Sequence, residues 1–222
     1  MSGSDSSSLP DRMTNENSPI TGSARSTRRD TALIAVFAAL IAVCTALVPG
    51  VPVGPVPITL QTLMIALTGL VLGPVRGCLA VLLYIVVGLA GLPIFAGGVA
   101  GLGVFGGGTV GYLLSFPFVA LVTGWLAERS RRGARRWLIA KFSLAALVPN
   151  LLLLHPLGIL GLMANLAMTL PVAALYDIRF VPGDVVKCVI AGAITVIVDR
   201  TFPALVAQRS VPVAVGTASE VR

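Results

Sequence analysis

Charge is scarce in this chain. Asp, Glu, Lys and Arg together supply 11% of 222 residues, where a soluble domain carries roughly a quarter. So few charges cannot coat a folded surface in water, which points to the bilayer as solvent. Histidine is nearly missing too, since His155 is the only one. One imidazole cannot by itself make a metal site or a conventional triad, and neither G-x-S-x-G nor H-E-x-x-H is present. The absence of G-x-x-x-x-G-K-[ST] excludes a P-loop for ATP hydrolysis. Cys44, Cys78 and Cys188 stand singly in apolar runs, without the close pairs of zinc sites or the even count of a disulfide framework, and read as buried small hydrophobes. The chain is a poor candidate for an enzyme, with no metal or cofactor expected.

What is present is apolar. Hydrophobic residues make up 56% of the chain and the mean hydropathy is +0.94. The net charge of +7 does not suggest nucleic acid, because the basic residues lie between apolar runs and in the tails, as membrane orientation requires. Residues 1–30 are polar and read as a disordered cytoplasmic tail. Residues 31–206 form the membrane domain, and 207–222 a second flexible cytoplasmic tail.

Within the domain, spans are expected from Thr31 to Val48, Ile58 to Leu72, Val75 to Leu92 and Val110 to Ala127. Proline at 49, 52, 55 and 57 separates the first two, and a glycine-rich stretch from Pro93 to Thr109 separates the third from the fourth. The apolar run from Trp137 to Leu175, interrupted by Pro149, Pro156 and Pro171, suits one span with an ordered connection or two spans. A last span begins near Asp184. With six crossings, the tail arginines, Arg76, Arg129 to Arg136, Lys141, Arg200, Arg209 and Arg222 share one side, and the other receives only Arg179 and Lys187. The positive-inside rule therefore favours an all-α integral membrane fold of six transmembrane helices with both termini cytoplasmic. Loops 49–57 and 93–109 and the segment 176–187 then face outward, where a ligand would arrive.

Ionisable groups inside the membrane are costly and call for partners. Lys187 is placed in the outer half of the last span, and Asp184, three residues earlier, shares its helix face. They read either as polar anchors of an outward cavity, or as a helix N-cap beside a snorkelling lysine. Gln61 and Thr59, in the first turns of the second span, offer hydrogen bonds near the same face, or serve capping and interhelical bonding. Tyr112 follows the glycine-rich stretch and could line a cavity beneath it, whereas Tyr84 reads as an interface anchor. Gly101-Leu102-Gly103-Val104-Phe105-Gly106 matches G-x-G-x-x-G but lacks the strand before it and the acidic residue after it that a dinucleotide site needs, and reads as a flexible lid. In the first span, Ala35 and Ala39, and Ala38, Ala42 and Ala46, recur at helical spacing, a pattern that serves packing within the chain or docking of another membrane subunit.

Four motifs in order resemble the BioY family, the biotin-specific substrate-binding (S) subunits of energy-coupling-factor transporters. They are Pro55-Val56-Pro57-Ile58-Thr59-Leu60-Gln61-Thr62, the run from Tyr84 to Gly98 (with Gly91-Leu92-Pro93-Ile94-Phe95), Gly111-Tyr112-Leu113-Leu114-Ser115-Phe116-Pro117, and Phe180-Val181-Pro182-Gly183-Asp184-Val185-Val186-Lys187. The resemblance implies a six-helix subunit in a prokaryotic plasma membrane. It would capture biotin near the outer face and topple in the membrane to deliver it inward. It implies as partners an EcfT/BioN-like transmembrane coupling subunit and EcfA/BioM-like cytoplasmic ATPases, which use the ATP. Asp184, Lys187 and Tyr112 carry over as ligand contacts, and the alanine face at Ala35, Ala38, Ala39 and Ala42 as the docking surface. The chain departs from the family at Gly107-Gly108-Thr109-Val110-Gly111-Tyr112, where the usual segment reads Gly-Pro-Thr-Gly-Gly-Tyr. A binding subunit for another vitamin and an intramembrane lipid enzyme are the competing readings.

Overall fold

Apolar residues run through long stretches of this chain without the alternation of a half-buried strand, so the backbone can satisfy itself in lipid only by coiling into helices. The computed structural model describes residues 20–47, 50, 56–132 and 136–203, and among them every regular element is helical. The helices are α1 (Ile20–Leu47), α2 (Gln61–Leu72), α3 (Pro74–Leu89), α4 (Val110–Arg131), α5 (Leu138–Pro149), α6 (His155–Leu166), α7 (Leu170–Asp177) and α8 (Val181–Thr201). Four stretches are long and apolar enough to cross a membrane: Thr27–Ala46, Val110–Arg131, Leu138–Leu166 and Val181–Thr201. α2 and α3 are apolar but shorter.

Several expected boundaries move. α1 begins at Ile20, so residues 20–30 continue the first helix; the rest of the polar tail, most of the proline-rich loop and the C-terminal tail lie outside the described residues. α4 runs on to Arg131, whose guanidinium joins the helices at that end of the molecule. It pairs with Asp199 at 2.7 Å and donates to the Leu70 carbonyl at 2.7 Å. Arg76 pairs with Asp30 at 2.9 Å, tying α3 to α1.

The open stretch after Trp137 resolves into one continuous helical element followed by α7. Pro149 and Pro156 do not end it, because a π-helical turn over Asn150–Leu154 lies between them. A π turn widens the coil and re-aims the side chains that follow, and the first of these is His155, which it delivers to the interior at 5% exposure.

The exterior is apolar, with Val36, Leu40, Leu79, Val86, Leu114, Phe118, Leu152 and Ile197 all exposed. Side chains of this kind facing outward on helix after helix mark a membrane protein. On α1 the alanines divide. Ala35 and Ala39 are exposed, while Ala38 is buried in the core with Ile41, and Ala42 packs against that core. Ala38 is therefore not available to a docking partner, because it lies one helical step from Ile41 on the inward face.

Candidate functional site

Opposite the Arg131–Asp199 pair, the first turns of α2, α4 and α8 converge on an open cavity. Thr59, Gln61, Thr62, Tyr112, Asp184 and Lys187 line it. All five positions expected to meet a ligand lie on this one wall. The rest is apolar: Val56, Ile58, Phe95, Val104, Leu113, Phe116, Leu154 and Phe180.

The ionic centre is built on α8. Pro182 fills an early helical position, where a missing N–H costs nothing. Asp184 sits in the first turn, where the helix dipole favours a carboxylate. It makes no side-chain cap. Its Oδ1 instead accepts from Lys187 Nζ at 2.9 Å and from the Thr62 hydroxyl of α2 at 2.9 Å. Lys187 Nζ lies 2.9 Å from Thr62 Oγ1 as well, closing a triangle. The lysine side chain is 12% exposed and the carboxylate 4%, so the ammonium turns inward and does not snorkel. The N-cap reading is removed with it.

Around this centre lie residues that no motif announced. His155 Nδ1 is 2.8 Å from Asp177 Oδ2, and Nε2 is 3.7 Å from Asp184 Oδ2. Tyr112 donates to Asp177 Oδ1 at 2.6 Å. The imidazole thus stands between two buried carboxylates. Tyr176 serves the chain just before α2: its hydroxyl accepts from the Val56 amide at 2.9 Å and donates to the Val56 carbonyl at 3.1 Å. Burial pushes this phenol above its ordinary range, so it keeps the proton that the second bond needs. A backbone segment without helical partners is in this way satisfied at the cavity wall.

Gln61 takes up the interhelical bonding that its sequence reading offered as an alternative, whereas Tyr84 departs from its own reading. The Gln61 amide donates to the Tyr84 hydroxyl at 2.8 Å, and that hydroxyl donates to the Ile94 carbonyl at 3.0 Å. Tyr84 is 1% exposed, so it is a buried strut and not an interface anchor. Its ring meets Phe95 edge-on at 5.6 Å, which holds the start of the glycine-rich stretch over the cavity. Thr59 Oγ1 accepts from the backbone N–H of Gln61 at 3.2 Å, steadying the entrance to α2. Asn165 on α6 secures the other end of the stretch, donating to the carbonyls of Phe105 and Gly107 at 2.5 and 2.9 Å.

Close helix contact places Tyr112. Gly111 and Gly161 let α4 and α6 approach backbone to backbone, and a Cβ at Gly158 would fall on the Tyr112 ring.

Among the described residues no group of His, Cys, Asp and Glu is arranged to hold a metal ion. The cavity offers one ammonium, two carboxylates, an imidazole, hydroxyls and an amide within apolar and aromatic walls. That suits a small, mainly apolar ligand with a few hydrogen-bonding groups.

Comparison with known proteins agrees with this chemistry. A biotin transporter BioY of Rhizobium etli is 38% identical over 184 residues, covering 81% of this chain and 98% of that protein. One from Rhodobacter capsulatus is 39% identical over 191 residues, covering 82% and 98%. The crystal structure of the S-component for biotin from an ECF-type ABC transporter matches with a TM-score of 0.71 and 25% identity, covering 77% of this chain and 90% of that one. The family model described as "BioY family" matches residues 14–204, and the chain accordingly belongs to the BioY family.

Proposed function

We propose that this protein is the membrane-embedded biotin-binding subunit of an energy-coupling-factor importer. It captures biotin outside the cell and releases it inward when partner subunits hydrolyse ATP. The observation that carries the reading is the Asp184–Lys187–Thr62 triangle set in the wall of an apolar cavity, in a chain whose BioY relatives are named biotin transporters. Biotin has a ureido ring with donors and an acceptor, an apolar body and chain, and a carboxylate. Asp184 can accept, Lys187 can donate with charge, and Gln61, Thr59 and Tyr112 add hydrogen-bonding groups. A transport role agrees with the missing catalytic and nucleotide motifs; no cofactor is needed, and biotin is the cargo.

Six crossings with cytoplasmic termini describe the topology best. α1, α2, α3, α4, the α5–α6 element and α8 each run between the Arg131–Asp199 end and the cavity end, and the basic residues at or between helix ends gather at the first, Arg179 and Lys187 excepted. That end faces the cytoplasm of a prokaryotic cell, and the cavity opens outward. The short α2 is extended by the residues just before it, where Tyr176 satisfies the N–H and C=O of Val56 inside the protein.

Titration calorimetry of biotin into the detergent-purified protein tests the reading. Saturable binding that other vitamins do not compete away is expected. Displacement by a different vitamin would reassign the pocket, and no binding at all would remove it.

The exposed Ala35–Ala39 step on α1 is the proposed docking surface for the coupling subunit. Ala39→Trp should lower biotin uptake in cells about tenfold or more by blocking close helix approach, while leaving biotin binding in detergent unchanged. Loss of both would mean that the position serves folding.

A further inference from the structure

Two carboxylates are buried beside the cavity, Asp177 on α7 and Asp184 on α8, each 3% exposed. Lys187 supplies one positive charge. Tyr112 of α4 and Thr62 of α2 bring neutral hydroxyls, and Arg179, in the turn between α7 and α8, is exposed, with its guanidinium over the Tyr176 ring at 5.7 Å. Isolated buried charge is costly, so a second cation beside the second carboxylate is favourable. Among the described residues only His155, from α6, is in place to be one. Its two ring nitrogens face one carboxylate each, at 2.8 and 3.7 Å, yet neither makes an aligned hydrogen bond. The imidazole is held between the acids without being committed to either.

We propose that His155 is a positioning residue whose protonation licenses ligand binding. This inference rests on the biotin reading of the pocket. Lys187 Nζ is shared between Asp184 and Thr62, and to reach an acceptor on the ligand it must give up part of its hold on Asp184. The imidazolium, already near Asp184 Oδ2, then balances that carboxylate. A neutral imidazole cannot, so the lysine stays on Asp184 and the ligand loses its charged donor. The sign follows. Affinity is greatest with the imidazolium in place and falls as pH rises, with one proton linked to binding.

The test is the biotin dissociation constant of the full chain in detergent from about pH 5.5 to about pH 9, a range in which an ordinary imidazole changes charge and a free carboxyl does not. The wild type should weaken about tenfold or more across the range. His155→Gln should bind weakly with a flat profile. His155→Lys, with a cation that persists at high pH, should flatten the profile while keeping the tighter affinity. A merely structural histidine would not produce that rescue. A flat wild-type profile overturns the inference even if every variant fails to fold, and so does a wild-type slope in His155→Gln. Binding with either of these results leaves the biotin reading standing, whereas no biotin binding at any pH removes both.

Discussion

Lys187→Ala is expected to weaken biotin binding by about a hundredfold or more. Truncating one partner of a buried, hydrogen-bonded charge pair costs about 2–5 kcal/mol in binding, and each 1.4 kcal/mol is about a factor of ten. Two losses combine here. The ligand loses its charged donor, and Asp184 is left with the Thr62 hydroxyl and a more distant imidazole. The unliganded protein should also lose stability, since the same pair holds α2 to α8 through Thr62. Calorimetry beside thermal melting in detergent separates the two effects. Unchanged affinity with a lowered melting temperature would make Lys187 a structural partner of Asp184 and move the ligand's polar contacts to Gln61 and Thr59.

A single methyl group at Gly158 should do comparable damage from farther away. In Gly158→Ala the new Cβ falls on the Tyr112 ring, and the nearby Gly111–Gly161 contact leaves α4 and α6 no room to part without losing their close approach. Overpacking costs about 1–3 kcal/mol. Moving Tyr112 off Asp177 loses a hydrogen bond to a charged acceptor, about 1.5–3 kcal/mol. A marked drop in melting temperature and in biotin affinity is therefore expected. Trimming the ring in Gly158→Ala/Tyr112→Ala should restore part of the stability but not the affinity. If Gly158→Ala melts like the wild type, the crossing has slack and the tyrosine is not held by it.

Position along the chain made part of this site legible and hid the rest. Asp184 and Lys187 stood out because charge inside an apolar run demands an explanation, and their three-residue spacing placed them on one face. Gln61, Thr59 and Tyr112 were visible as polar groups at the ends of apolar helices. His155 gave no such signal: a lone histidine between leucine and proline has no spacing to read, and its partners come from helices whose placement depends on the π turn at Asn150–Leu154. Asp177 fell in a stretch whose arrangement the prolines left open, and Tyr176 acts on a backbone far away in sequence. Tyr84 reads from sequence as an interface anchor because tyrosine chemistry suits both an interface and a buried strut, and only packing against Phe95 and Gln61 decides between them. The helical class followed from composition alone; the division of the α1 alanines between core and surface needed the neighbouring helices.

The two hydrogen bonds from Asn165 bear on time as well as on structure. The glycine-rich stretch borders the cavity through Phe95, Ala96 and Val104, and besides the Phe95–Tyr84 contact and the buried Val104 its far end is bonded by the Asn165 amide. Letting go of two neutral bonds is a small barrier compared with dissolving the ionic centre below. Exchange past this stretch should then respond to the Asn165 bonds, and equilibrium affinity to the charges beneath. Residence time and affinity can in this way be adjusted by different residues, so the protein can hold its cargo tightly without being slow to load.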